Sequence, residues 1–549
     1  YNYIILNFSW TNDIAPVMLN RVSGQSFLNP YDVSELRDFN IFALVVTLFS
    51  SVLNRAGWIG NDTSGAGRTP HEQKMAGVLG AWKNGFASMM ILLLAVVVIT
   101  FMTGPRFMHS DNKFKISSTE IRQELSAKVL DDVVADTAVR AKVMKAIHKI
   151  PETFTKQEWD RPLSQQHNLD TPYFNAVRDT LGDTPDARHQ FQKYRSLYQQ
   201  MMMPSVVSKI FPVGMLGLFC LLMVMLLVST DDSRIFNASS TLTQDVILPM
   251  FKGHLDQRKH LLLLRLTSVA VALLFLMVSI FFTQLDYINM FITIMCALWL
   301  GGAGPIMVFG LYSRFGNLTG AWCSIILGSG TSLLGLIFQR NWAKSIYPAL
   351  EQLGMVETLD SFLQTVSAPF NPWIEWSMDP VKFPINSFEI FFISMVLSLG
   401  GYIVGSYLTY KPYNLDKLLH RGIYADAPAP PKEHWTFRNV FSKLIGITDE
   451  YTRGDKIIAY SVFGYSFVYQ IGIVFVAIVI WNTISPWPDE WWTVKFFITS
   501  LVIPAIVGLI STVWFMIGGI RDTRRLFIDL EKRIEDPDDN GQVLSHSDS

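Results

Sequence analysis

Residues 218–245, "LFCLLMVMLLVSTDDSRIFNASSTLTQD", decide how this chain folds. The first half is apolar enough to lie in lipid; from Ser229 onward the stretch fills with hydroxyls and carries two adjacent aspartates. Ser229, Ser233, Asn237, Ser240 and Gln244 recur every three or four residues, so on a continuing helix they form one stripe. Thr230 and Thr241 broaden it, while Ile235, Leu242 and Val246 lie elsewhere and can meet apolar neighbours. A hydroxyl stripe in a membrane helix is costly without partners, so one face must meet protein or water. Two readings follow. In one, Ser229 and Thr230 offer neutral oxygens to a small hard cation, with backbone carbonyls completing its shell. In the other, the helix leaves the membrane, and Thr230 with Asp231 and Asp232 caps the next helix.

The composition supports the membrane setting. Of 549 residues, 50% are hydrophobic and 17% charged, and the mean hydropathy is +0.27, too apolar for a soluble protein of this length. A net charge of −1 gives no argument for nucleic acid; the partner is membrane lipid. Cys220, Cys296 and Cys323 each sit within an apolar run, as small buried hydrophobes rather than a disulfide framework or metal cluster. The chain opens on Tyr1, and "YNYIILNF" is too short for a signal peptide, so an N-terminal portion is expected to be missing.

A spanning helix needs roughly 20 apolar residues, and about nine segments qualify. They are 39–57, 80–103, 206–230, 262–283, 287–312, 318–339, 386–409, 457–481 and 494–519. Alternate loops are basic (Arg55 to Lys83, Lys252 to Arg265, Arg314, Lys411 to Arg438, Arg521 to Arg525), which puts those loops and the C-terminus in the cytoplasm. The expected plan is then a lead-in at 1–38 outside, two spans in 39–103, and an outer helical insertion at 104–204. Four more spans occupy 205–340, followed by an outer loop at 341–385. The segment 386–520 holds three trailing spans around a cytoplasmic loop at 410–456, and 521–549 is a cytoplasmic tail. Trp487, Trp491 and Trp492 read as an interfacial belt, and "ADAPAPPKEH" at 425–434 as a stiff connector.

At the quoted stretch the sequence resembles the sodium:solute symporters, the family of sodium-coupled sugar, proline and pantothenate transporters. Ser229 and Thr230 match the hydroxyl pair of its core helix eight, Asp232 and Ser233 the following Asp-Ser, and Ser239, Ser240, Thr241 and Asp245 the distal cluster. "GGAGPIMVFGLYSRFGNLTGAWCSIILGSG" at 301–330 resembles core helix ten and its exit. "NRAGWIGNDTSGAGRTPHEQKMAGVLGAW" at 54–82 resembles the helix-six exit more weakly, lacking the family's Gln-Arg. The resemblance implies an all-α, five-plus-five inverted-repeat membrane fold with its sites at the repeat interface. It also implies a sodium ion as coupling ion, held by Ser229, Thr230 and the backbone carbonyl of Leu226, with Asp231, Asp232 and Ser233 behind it. Leu226 replaces the family's usual small residue, and Asp231 adds a charge that could attract the cation or take up a proton. No other metal or cofactor is implied. On the family's helix order the first span here is core helix six, so the first repeat appears missing; either the sequence is a piece of a longer protein or a separate polypeptide supplies that repeat.

Family substrates contact helices one, six and ten, which points to Asn54, Arg55 and Trp58 at the end of the first span for a small polar solute. Arg55 could hold a carboxylate, or could be an interfacial anchor. Gly301, Gly302, Gly304 and Pro305 are either a gating break or a close helix contact. No catalytic constellation is found: "HEQKM" at 71–75 lacks the second histidine of a zinc helix, "GAGR" at 65–68 is no phosphate loop, and His148, His167 and His189 fall in the insertion. The chain therefore reads as a transporter in the plasma or inner membrane rather than an enzyme. A symporter-like sensor, for which the roughly thirty residues after Ile520 are too short to hold a kinase domain, and a proton-coupled transporter are the alternatives.

Overall fold

A computed structural model describes residues 7–19, 26, 28–32, 40–57, 70–107, 116–150, 169–251, 256–281, 288–371, 373–410, 414–418, 423, 436, 439–448 and 450–532. The chain is an all-α, multi-pass membrane protein. Among the described residues no strand is present, and seven helices are long and apolar enough to cross a membrane: Val213–Met250, Arg258–Ile280, Met290–Gly310, Leu318–Gln352, Ser387–Leu408, Arg453–Ile484 and Asp489–Glu531. Two shorter apolar helices, Phe42–Ser51 and Met89–Thr103, complete the set. The third span starts at Val213 rather than 206. Phe211 precedes Pro212 and adopts the extended conformation that a following proline favours (φ −78°, ψ 136°), which ends one helix before the next begins.

The chain divides into two compact units, 1–59 with 95–212 and 284–433, and 60–94 with 213–283 and 434–549. In the first unit, helix α1 (Ile41–Gly57) is capped by Asn40, whose Oδ1 accepts the Phe42 and Ala43 amides at 3.0 and 3.2 Å while its Nδ2 donates to the Trp373 carbonyl. Helix α2 (Pro70–Thr103) enters this unit with its last turns. Among the described residues four helices follow: α3 (Ser118–Val133), α4 (Thr137–Ile147), α5 (Thr171–Leu181) and α6 (Pro185–Ile210). Ser117 and Glu120 make a reciprocal capping box at the start of α3, with bonds of 3.1 and 2.7 Å. These helices share one core of Val129, Leu130, Val143, Ile147, Tyr194 and Tyr198, so the polar segment between the second and third spans is a folded helical domain. Buried Arg122 donates to Asp170 at 2.9 Å and to the Met102 carbonyl at 2.6 Å, fixing α3 to the end of α2.

The first unit also holds a tight bundle of α9 (Ile288–Tyr312), α10 (Leu318–Asn341) and α11 (Ser387–Leu408). Small residues let the backbones approach closely: a Cβ on Gly328 would overlap the backbone of Gly301, and one on Gly302 would meet Ser329. Hydroxyls then bridge the helices. Ser324 donates to the Gly302 carbonyl at 2.8 Å, Ser332 to Ser394 at 2.9 Å, and Ser394 to the Gly328 carbonyl at 2.6 Å. Helix α1 packs on this bundle through Ala43, Val46, Ala297, Leu300 and Phe391.

The second unit holds the start of α2, then α7 (Val213–Thr241), α8 (Gln257–Phe281), α12 (Arg453–Ile484) and α13 (Ile503–Glu531). His71 near the start of α2 meets Asp455 at 3.2 Å, and Lys74 donates to the carbonyl of Gly446, whose φ of 73° suits glycine. Trp481, Trp487, Trp491 and Trp492 pack against one another, with ring centroids 5.0 to 5.8 Å apart.

Candidate functional site

Helix α7 runs unbroken from Val213 to Thr241 and continues through a wide turn, Leu242–Ile247. No helix end exists at Thr230, so the capping reading of Thr230, Asp231 and Asp232 does not describe this chain; an N-cap needs non-helical backbone. Leu226, Ser229, Thr230 and Ser233 stand on successive turns of one helix. In such a helix the Leu226 carbonyl accepts the amide four residues on, which leaves it one lone pair. The hydroxyl of Ser233 donates to the Ser229 carbonyl at 3.2 Å.

The part of α7 that meets protein within its own unit lies further along. Ser239 and Thr243 are fully buried, and the Ser268 hydroxyl of α8 donates to Ser239 at 2.9 Å. Gln244 reaches His260 at 3.4 Å. Leu242 and Val246, expected to meet apolar neighbours, are exposed instead. Between Ser239 and Ile247 the buried side chains are the small hydroxyls of Ser239 and Thr243, while Leu242 and Val246 face outward, as is expected when the solvent is lipid. Ser229, Thr230, Asp231 and Asp232 are exposed and Ser233 half-buried. Cys220, read as a buried hydrophobe, is also exposed on this helix.

The solute candidates lie in the first unit. Asn54 and Arg55 fall in the last turns of α1, while Trp58 lies outside the described residues, as do His167 and the connector 425–434. Helix α9 passes unbroken through Gly304 and Pro305, and Gly301 and Gly302 serve close packing on α10. What sequence reasoning missed is an open groove of about 420 Å³ beside α1, bordered by Asn40, Leu44, Thr47, Ser51 and Phe388. Thr47 gives its hydrogen to the Ala43 carbonyl at 2.7 Å and Ser51 to the Thr47 carbonyl at 2.8 Å. Their oxygens therefore offer lone pairs to a donor in the groove. The available signal was Asn40, Thr47 and Ser51 at helical spacing on an otherwise apolar segment.

Residues 184–328 match the sodium:solute symporter family model. The match runs from the start of α6 through α7, α8 and α9 into α10, and takes in Ser229, Thr230, Gly304 and Pro305; the stretch 54–82 lies outside it. No curated protein matches the chain. The match supports solute transport as the general activity of this membrane protein.

Proposed function

We propose that this chain takes part in sodium-coupled symport of a small polar solute by alternating access, with the ion held by the hydroxyls of Ser229 and Thr230 and the carbonyl of Leu226. The observation that carries the reading is the unbroken helix through 226–233, which sets two neutral hydroxyl oxygens one turn from a carbonyl with a spare lone pair. That donor set suits a hard monovalent cation. Asp231 and Asp232 add negative charge beside it. Sodium drives the cycle by binding the outward-facing, solute-competent state more tightly than the inward-facing one. The solute is assigned to the region of α1, with Asn54, Arg55 and Trp58 as contacts, and the groove at Thr47 and Ser51 supplies acceptors there. Gly304 and Pro305 are the positions proposed to yield during opening.

The test is uptake of labelled sodium into vesicles carrying the complete protein, driven by a panel of sugars, amino acids and carboxylates. Solute-dependent uptake that Ser229→Ala with Thr230→Ala abolishes supports the reading. Uptake untouched by the double variant overturns the site, and uptake driven by a proton gradient without sodium transfers the coupling role to protons, with Asp231 the first group to substitute.

A further inference from the structure

A second recess lies between α3 and α6. It has a volume of about 240 Å³. Its floor is apolar, made by Ile121, Leu125, Met201 and Pro204, and its rim carries Glu124, Lys128 and Lys209. Glu124 and Lys209 pair across it at 2.9 Å, which leaves the charge of Lys128 in excess. Pro204 stands inside α6, where it has no amide hydrogen to give to the helix and presents its ring to the recess.

Two ties fix the depth of this recess relative to lipid. Arg122, one residue from Ile121, bonds the Met102 carbonyl at 2.6 Å, in the last turn of the apolar helix Met89–Thr103. Lys209 is followed closely by Val213, the first residue of a span, so the two are at most about 14 Å apart along the chain. The recess therefore sits at the level of the lipid headgroups, whichever side of the membrane the helical domain occupies. A lysine holds a phosphate as a point charge, and an apolar floor beside it has value only for a ligand with carbon chain next to its phosphate.

We propose that this recess binds an anionic phospholipid, its phosphate on Lys128 and its first chain carbons on Ile121, Leu125, Met201 and Pro204. The lipid would fasten the helical domain to the bilayer surface. This inference is independent of which ion or solute is carried.

The experiment uses the full-length protein in detergent and measures binding of dioctanoyl phosphatidylglycerol by native mass spectrometry. Two variants are compared with wild type: Lys128→Glu, which reverses the free charge, and Ser208→Trp, which fills the recess and leaves its charges in place. Saturable binding that weakens by roughly an order of magnitude in each variant, at unchanged melting temperature, is the expected result. Equal binding by wild type and both variants would place the lipid elsewhere and overturn the proposal, as would no saturable binding at all. Competition by glycerol 3-phosphate or inorganic phosphate as strong as by the lipid would overturn it too, because the recess would then be a free-phosphate site. Sodium uptake is read separately, so failure here leaves the transport reading standing, and the reverse holds.

Discussion

A hydroxyl inside a membrane helix ordinarily gives its hydrogen to a carbonyl of the preceding turn, as Thr47, Ser51, Thr100 and Ser233 do here. The oxygen that remains is an acceptor only, which suits a cation or a ligand's N–H. On this ground, replacing Ser229 and Thr230 together by alanine is expected to weaken sodium affinity by at least about tenfold, since each removed charge–dipole contact is of order 1.5–3 kcal/mol. Leu226→Ala should leave affinity undiminished, because the proposed ligand is a main-chain oxygen. Sodium titration of uptake measures both; a loss at Leu226 as large as at the pair would mean the side chain shapes the site.

At the level of elements, contact distance governs the bundle of α9, α10 and α11 more than its hydrogen bonds do. Gly328 lies against the backbone of Gly301, where no side chain can retreat, so Gly328→Val should destabilise the purified protein by about 1–3 kcal/mol. Ser394→Ala, which removes two bridging bonds, should cost only about 0.6–1.7 kcal/mol, because membrane hydroxyls find other partners when unfolded. Thermal melts in detergent order the two variants. In the helical domain, α6 carries His189, whose Nδ1 is buried without a partner. Burial, then the charges of Lys344, Lys193 and Arg340, hold its pKa below the usual histidine range, with Asp186 opposing. The folded domain therefore keeps His189 neutral while the unfolded chain takes up a proton, so stability present at neutral pH is lost as pH falls below about 6.5. Hydrogen exchange over Pro185–Ile210, corrected for intrinsic rate, should speed up as pH falls below about 6.5 in wild type and much less in His189→Gln. The same helix bears Arg188, bonded to Asp183 at 2.7 and 2.9 Å and to Glu351 at 3.2 Å, and this link holds the Asp183 carboxyl below its ordinary pKa.

For the whole molecule, the seven long apolar helices and the family match over 184–328 agree on a multi-pass solute transporter. Its orientation is a prediction from basic loops. In a protein with Cys220, Cys296 and Cys323 changed to serine, Lys142→Cys should react with a membrane-impermeant maleimide added outside intact cells, and Arg524→Cys only after permeabilisation. The opposite labelling pattern would invert the topology and, with it, the direction of sodium entry.

The membrane class, the run of spans and the polar stripe of α7 were legible in the sequence, because hydropathy and helical period are properties of a few adjacent turns. The break at Phe211 was legible too, in the proline that follows it, though the expected third span ran through it. Partner choice was not legible. Only the folded chain decides that Ser239 meets α8 and Thr243 is buried while Leu242 and Val246 face outward, that Cys220 is exposed, and that Gly301 and Gly302 pack on Gly328 and Ser329. Which face of a helix is covered depends on a second helix whose residues lie elsewhere in the chain, and when the surroundings are lipid rather than water, an apolar pattern alone does not say which side that helix takes.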